Sequence, residues 1–573
     1  MARHFHRARW RVAVVALAAA VVVGVPSATA FEGGKVPKAL LEHVSQAASL
    51  SYYLAHPDQA PSRLDALVDA SQKQPPGRHV SSCGAEANKD VFNCDDFFGL
   101  PQNETSVGSC PSNDDFVLGG TNDYRGIFDP EGNFTGWHWS IDGGHSVRNE
   151  GLLPPVTLIR TPTREVPSGG DPVDFIPAGC DSVYAASLAY NPANPFGDAN
   201  GIGVYKSTPE ILSSCEPFVE SPVGSGNFIS NPACWPVRRL VAEADDSHFL
   251  DKEWMFVGVQ NGVRYVWVTY SDFAIDNNAP LGYTAVSIKA VRCDENLVVC
   301  SEPIPISTQD QDVQFSDVTV GPDGRAYITW ARIDGELEQT DQVFTIKYRS
   351  ETAPGSMVFG PEKVVQVVPR AIPFGGFLQA NDFRVATYPK SDVTIVNGHP
   401  RVFVIYDECT VRIFGNICER PAIKVTYSDD DGTTWSAPIV VSNGGVNYFP
   451  TISADRTYTT DNVAVGWYTN QYDFQFENQQ DVVAASLNPL TGDARGLKRL
   501  TTSSNETEAD PVLGGVFIGD YLEGVLIKNR YYMHYNANYR KVPLIGGFFD
   551  DPGTQPPIPV NQQDNYLAIT GLN

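Results

Sequence analysis

The octapeptide Ser428-Asp429-Asp430-Asp431-Gly432-Thr433-Thr434-Trp435 constrains the fold of this 573-residue chain more than any other stretch. Asp430 can accept hydrogen bonds from backbone amides of its own turn, and Gly432 can take positive φ. Thr434 and Trp435 then open a strand in which the indole covers the turn. Residues 423–427 lead in with alternating apolar and polar side chains and 437–441 lead out, so the octapeptide sits on a β-hairpin. A weaker copy, Ser140-Ile141-Asp142-Gly143-Gly144-His145-Ser146-Val147, keeps the spacing with Ser for Thr and Val for Trp, after a strand-like 134–139. Two copies in the same strand context predict an internal repeat.

Strand-like runs recur at 116–123, 182–190, 265–273, 325–333, 401–407, 463–469 and 523–535, spaced by roughly 60 to 80 residues. Val-Trp-Val-Thr-Tyr, Tyr-Ile-Thr-Trp, Phe-Val-Ile-Tyr and Val-Gly-Trp-Tyr read as one strand written four times. Most runs are followed by a second alternating strand, at 202–206, 283–290, 344–348, 422–427 and 481–485. Each unit is therefore a small antiparallel sheet that cannot bury both faces alone. Radial stacking solves this, because each sheet covers its neighbour and only short edges remain. The expected fold is all-β, a six- or seven-bladed β-propeller, in which the first and last runs can combine into one blade that closes the ring. Leu40, Leu41, Val44, Leu50, Leu54, Leu64 and Leu67 have partly helical spacing and predict a short helical N-terminal segment. The expected organisation is a leader at 1–30, a partly helical extension at 31–103, the propeller at 104–540 and a C-terminal tail at 541–573.

Arg3, Arg7, Arg9 and Arg11 precede an apolar run at 12–25, and Ala28-Thr29-Ala30 offers a small-residue cleavage site. That is the pattern of a secretory signal peptide, with a mature chain from about Phe31. The run is short for a membrane span, and no later segment is long and apolar enough for one. Ten cysteines, an even number, fit the oxidising compartment such a leader implies. Proximity pairs Cys293 with Cys300 and Cys409 with Cys418, then Cys83 with Cys94 and Cys215 with Cys234, leaving Cys110 with Cys180. No Cys/His cluster has zinc spacing, so no metal is expected from these residues. Asp245, Asp246, Asp310 and Asp312 either hold calcium or are solvated loop carboxylates, and no other cofactor is expected. Asn103, Asn133 and Asn505 each open a glycosylation triplet. The net charge of −26 repels nucleic acid and anionic membranes and otherwise serves solubility. A secreted monomer is expected.

The two octapeptides match the Asp box. Together with the blade-like recurrence from about Glu104 to Tyr539, they make the chain resemble the sialidase-like, Asp-box or BNR-repeat propellers. The resemblance implies fold more than activity, because that superfamily mixes sialidases, other glycoside hydrolases, lectin-like binders and propellers with no sugar role. It also implies that Asp boxes lie on the rim, which makes Ser428, Asp430, Gly432, Thr434, Trp435, Ser140, Asp142 and Gly144 structural. An active sialidase resembling the family needs three convergent arginines, an acid/base Asp and a Tyr activated by a Glu. The Arg-Ile-Pro motif that usually supplies the first arginine is missing, and Arg125, Arg384 and Arg530 remain available.

Asp123, Tyr124 and Arg125, and likewise Asp520 and Tyr521, stand near the start or end of expected inner strands, and Asp251 and Glu253 precede the third unit. With Arg384 they are the candidate residues of a channel mouth, where rings stack on pyranoses and carboxylates accept hydroxyl hydrogen bonds. The structural alternative is that they close turns and satisfy backbone groups. No catalytic residue is assigned, and no Gly-x-Ser-x-Gly elbow supports serine-hydrolase chemistry. Two main functions follow: a secreted module that recognises a carbohydrate or another cell-surface ligand, or an exo-acting glycoside hydrolase of the sialidase type. A structural scaffold in the cell envelope is the third.

Overall fold

The computed structural model describes residues 35–64, 67–68, 81–84, 91–96 and 100–572, apart from 114, 148, 226–227, 311, 335–341, 511, 514–516, 539–540 and 544–558. The expected leader lies outside the described residues. What is described is mostly β, as expected, and seven of its sheets are antiparallel with four or five main strands each. Their leading strands are Gln102–Ser109, Val173–Phe175, His248–Gln260, Val313–Val320, Lys390–Val396, Asn447–Ala454 and Glu523–Ile527. These contact one another in chain order, and the seventh also contacts the first. The seventh sheet joins distant parts of the chain: Glu523–Ile527, Arg530–Ala537 and Asp564–Gly571 continue into Val91–Asp96 and Ser81–Gly84. The 541–573 segment, expected as a tail, thus supplies its third strand, and the 31–103 extension its outer two.

The runs that recur in the sequence are mostly second strands. Trp267 in Val263–Ile275, Trp330 in Ala326–Asp334, Tyr406 in His399–Glu408 and Trp467 in Val463–Thr469 are all buried there. Two of the indoles are tied to the leading strand of their own sheet. Trp267 Nε1 donates to Gln260 Oε1, and Trp467 Nε1 donates to Asn447 Oδ1, both at 3.0 Å. Truncating a ring so placed costs about 3–5 kcal/mol. One consequence corrects the sequence reading: Asp123 ends the second strand Val117–Asp123, one strand removed from the leading edge.

The turns at Ser428 and Ser140 are built alike. Ser428 Oγ donates to Asp430 Oδ1 at 2.9 Å and accepts from Gly432 N at 2.8 Å, while Thr434 N and Oγ1 donate to the Asp430 carboxylate at 2.8 and 2.7 Å. Ser140, Asp142, Gly144 and Ser146 repeat all four bonds at 2.7, 3.0, 2.9 and 2.5 Å. Gly432 and Gly144 have φ of 74° and 85°, which an L side chain resists. Trp435 meets Tyr348 edge to face at 5.6 Å, whereas Val147 is simply buried. Both turns follow third strands, which run parallel to the leading strands, so they sit at the end where the leading strands finish. Disulfides join Cys110–Cys180, Cys215–Cys234, Cys293–Cys300 and Cys409–Cys418. Cys83 and Cys94 stand opposite each other in register. Asn103, Asn133 and Asn505 are all buried, which closes the three triplets to glycosylation in the folded chain.

At the other end, where the leading strands begin, lie helices α1 (Lys38–His43) and α2 (Gln46–Ala55). Leu40, Leu41, Val44, Ala48 and Tyr52 join a core cluster with Phe249, Tyr283 and Phe374. Leu50 and Leu64 pack instead with Tyr124, Phe134 and Phe517. Each fully buried leucine contributes about 1.5–3 kcal/mol, so the helix pair is held mainly by apolar burial. Among the described residues, no helix is long and apolar enough to cross a membrane.

Candidate functional site

Five of the seven sheets share a backbone device at this end. Glu104, Lys252, Phe315 and Phe449 have φ of 53°, 55°, 59° and 49°, each at a register shift against the second strand. Asp171, with φ 56°, stands just before the second leading strand. A bulge re-aims a side chain, and a non-glycine residue held in the left-handed region costs about 1–3 kcal/mol. Three of the five residues so held are charged, and they meet in one buried polar cluster.

Asp520 is the hub of that cluster. Arg384 Nε donates to Asp520 Oδ1 at 2.9 Å, while Arg384 Nη2 and Lys252 Nζ both pair with Asp520 Oδ2. Asp520 N donates to Glu104 Oε1 at 3.1 Å, and Asn122 Nδ2 donates to Glu104 Oε2 at 2.6 Å. Asn122 Oδ1 in turn accepts from Asp171 N at 2.7 Å. Asp251 and Glu253 flank Lys252 in the third leading strand. Tyr521 Oη donates to Pro172 O at 2.8 Å, and the Tyr521 ring stands edge to face with Trp254 at 5.6 Å. Lys390 Nζ lies among the rings of Trp254, Tyr388 and Tyr521. Asp171 Oδ2, Asp251 Oδ1 and both carboxylate oxygens of Glu253 are buried with no hydrogen-bond partner.

Burial and charge split the protonation of these groups. Burial, reinforced by the Asp171 and Asp520 charges, holds Glu104 well above the usual carboxylate range. Burial and then Asp171 do the same for Glu253. Asp251 is pushed up to about 7, chiefly by burial, although Lys252 and the Ser45 amide pull the other way. Asp520 is as buried, yet Arg384 and Lys252 outweigh that and keep it below its ordinary value. Lys390 is pulled down to about 7 by burial, against the nearby Asp317 and Glu523. The cluster therefore sets carboxyls that hold their protons more tightly than usual beside one that gives its proton up more readily.

The N-terminal segment reaches into this cluster. Ser45 N donates to Asp251 Oδ2 and Ser45 Oγ to Asp171 Oδ1, both at 2.7 Å. Arg384 Nη1 donates to the carbonyls of Val44 and Glu42, at 2.9 and 3.4 Å.

Of the residues expected at a mouth, the structure brings Asp251, Glu253, Arg384, Asp520 and Tyr521 together. Asp123 and Arg125 instead pair with each other, Asp123 Oδ1 accepting from Arg125 N at 3.0 Å and Nε at 2.9 Å, and Tyr124 packs edge to face on Phe134. Arg530 pairs in register with Ile527, at the far end of the seventh leading strand, so the three arginines do not converge. Glu104, Asp171, Tyr388 and Lys390 were not picked out as mouth residues. Of the calcium candidates, Asp245 caps Ser247 N at 3.1 Å and Asp312 accepts from Tyr283 Oη at 3.1 Å. Asp310 faces Arg332 at 3.8 Å, and no group of three or more His, Cys, Asp or Glu among the described residues is placed to hold a metal ion.

No protein-family model matches the chain, and a search of curated proteins returns no match. Among solved structures, an alpha-L-arabinanase from Penicillium chrysogenum is similar at 11% identity and a TM-score of 0.39, over 72% of this chain and 99% of its own. A protein of unknown function from Dyadobacter fermentans gives 11% and 0.40, over 87% and 100%. A sialidase from Streptococcus pneumoniae gives 8% and 0.37, over 84% and 71%. At these TM-scores the likeness carries neither fold nor function to this chain.

Proposed function

We propose that the seven sheets are blades of one closed β-propeller and that its axial mouth, where the leading strands begin, binds a glycan. The convergence of Glu104, Asp171, Asp251, Glu253 and Asp520 carries this reading. Buried carboxyl oxygens without partners suit a ligand rich in hydroxyl donors, and Trp254, Tyr388 and Tyr521 bring aromatic surface to the same place. The circuit of leading-strand contacts supports the propeller, and the four disulfides support secretion. Glycan-array binding that is lost on Asp251→Asn and Glu253→Gln supports the assignment. An array blank both for the chain and for a Ser45→Pro variant, in which Ser45 no longer donates to the carboxylates, overturns it.

One contrast favours a second reading, an exo-acting glycoside hydrolase: in the same buried cluster, burial and Asp171 raise Glu253 well above the usual carboxylate range, while Arg384 and Lys252 keep Asp520 below its ordinary value. A proton donor beside a charge-stabilising carboxylate is what glycoside cleavage uses. Without a three-arginine clamp, neutral glycosides are the expected substrates. Turnover across a fluorogenic glycoside panel, abolished by Glu253→Gln while binding persists, supports this reading. Binding without turnover leaves recognition as the function.

A further inference from the structure

We infer that α1 and α2 form an internal plug in the axial mouth, and that Ser45 stands in for a ligand with two adjacent hydrogen-bond donors. This rests on the mouth being the ligand site. The Ser45 amide and hydroxyl each fill one carboxylate, Asp251 and Asp171, which otherwise keep a free oxygen apiece. The same hydroxyl accepts from Ala47 N at 3.2 Å and so caps α2, coupling helix formation to occupation of the mouth. Arg384, the cationic side of the cluster, is met by two carbonyl oxygens from residues 42 and 44. Residues 42–45 thus offer donors to the acids and acceptors to the base, as a polyhydroxylated ligand would.

The rim is shaped for the helix pair. A Cβ on Gly170 would come within 2.7 Å of Ala47 Cβ, and one on Gly282 within 3.0 Å of Leu40 Cβ, so both positions give up a side chain where the helices dock. His43 stacks on Phe374 at 4.8 Å and completes the seal on that side. A cavity of about 90 Å³ remains along one seam, lined by Lys38, Glu42, Gln46 and Arg384 among others. The seam marks the edge from which the plug can be lifted.

The chemistry of Ser45 also fixes the class of ligand. Two carboxyls that take an N–H and an O–H select vicinal hydroxyls, or an amino group beside a hydroxyl, and they disfavour an anionic sugar acid. Neutral pyranosides and amino sugars share this donor pair, and the test separates them.

Ser45→Pro is the informative variant. Ser45 has φ −49° and ψ 139°, which proline accepts, and the substitution removes both donors without requiring a new backbone path. Carbodiimide and glycine ethyl ester labelling, read by mass spectrometry on the full chain, measures exposure of Asp171 and Asp251 with no ligand present. The expected result is labelling about tenfold faster in Ser45→Pro than in the parent, as loss of two buried hydrogen bonds implies. Neutral oligosaccharides or chitosan oligosaccharides then bind the variant about tenfold more tightly than the parent, whichever of the two supplies the donors. Equal labelling in parent and variant overturns the plug, and glycan binding by both would then leave the proposed function standing. Faster labelling with no binding of either oligosaccharide class overturns the ligand assignment and the proposed function together. Preferential binding of sialosides would overturn the donor-pair assignment alone.

Discussion

Arg384 grips Asp520 across 136 positions of sequence, with Nε 2.9 Å from Oδ1 and a second nitrogen on Oδ2. Both side chains are nearly buried, with relative exposures of 10% and 9%, and Lys252 shares the same carboxylate. Removing one partner from a buried charge pair costs about 3–5 kcal/mol, because the other charge is stranded. Arg384→Ala should therefore lower urea-unfolding stability by about that much and also free the carbonyls of Val44 and Glu42. Arg384→Lys should recover only part of the loss, since an ammonium cannot reproduce the two-pronged grip. Full recovery by lysine would mean that charge alone, not geometry, holds the cluster.

Stability should fall as pH rises from about 5 to about 8. Asp251, Asp174 and Asp407 are pushed up to about 7 and Glu523 to about 8, each chiefly by burial. Unfolded carboxyls titrate near about 4. Between these values the native chain holds protons that the unfolded chain releases, so the stabilisation is complete below about pH 4 and is lost through about 7 to 8. Lys390, lowered to about 7, acts in the opposite sense above that pH and limits the decline. Thermal unfolding between pH 5 and 8 checks this, and Asp251→Asn should flatten the slope. A midpoint that climbs across the interval would contradict the assigned protonation states.

The two Ser-x-Asp-x-Gly turns should behave as one structural device. Asp430 and Asp142 each receive three hydrogen bonds from their own turn, and both turns lie at the end opposite α1 and α2. Asp430→Ala and Asp142→Ala should each cost about 1–2 kcal/mol in denaturant unfolding, the scale of a lost charge-assisted bond. Neither should change carbodiimide labelling of Asp171 or Asp251. A change in labelling would tie the turns to the mouth.

Strand recurrence was legible because buried aromatic residues such as Tyr270, Trp330 and Trp467 repeat at matched positions, each one residue past the partner of a bulge, with apolar neighbours. The pattern revealed second strands rather than leading ones, since four of the leading strands are interrupted by bulges, at Glu104, Lys252, Phe315 and Phe449. Glu104 escaped notice inside an Asn-Glu-Thr triplet and Asp171 inside Gly-Asp-Pro, because nothing in a non-glycine residue announces a left-handed φ. Asp251, Glu253 and Asp520 were legible because they stand beside aromatic residues where expected strands or units begin. The helical spacing of Leu40 to Leu54 was readable, but the reach of Ser45 into the mouth was not. It depends on contacts with residues 126 and 206 positions away.

The indole-to-leading-strand bond gives a last expectation, one that tests whether the repeat is energetic as well as visual. Trp467→Phe keeps most of the buried ring but leaves Asn447 Oδ1 without its donor, which should cost about 1–3 kcal/mol. Trp467→Ala removes the ring as well and should cost about 3–5 kcal/mol. A double-mutant cycle of Trp467→Phe with Asn447→Ala isolates the pair, and the expected coupling is about 1 kcal/mol. The cycle of Trp267→Phe with Gln260→Ala should give a coupling of the same sign and similar size, because the third sheet makes the same indole-to-amide bond, there at the last residue of the leading strand rather than the first. Coupling in one sheet and none in the other would show that the two tryptophans are alike in sequence only.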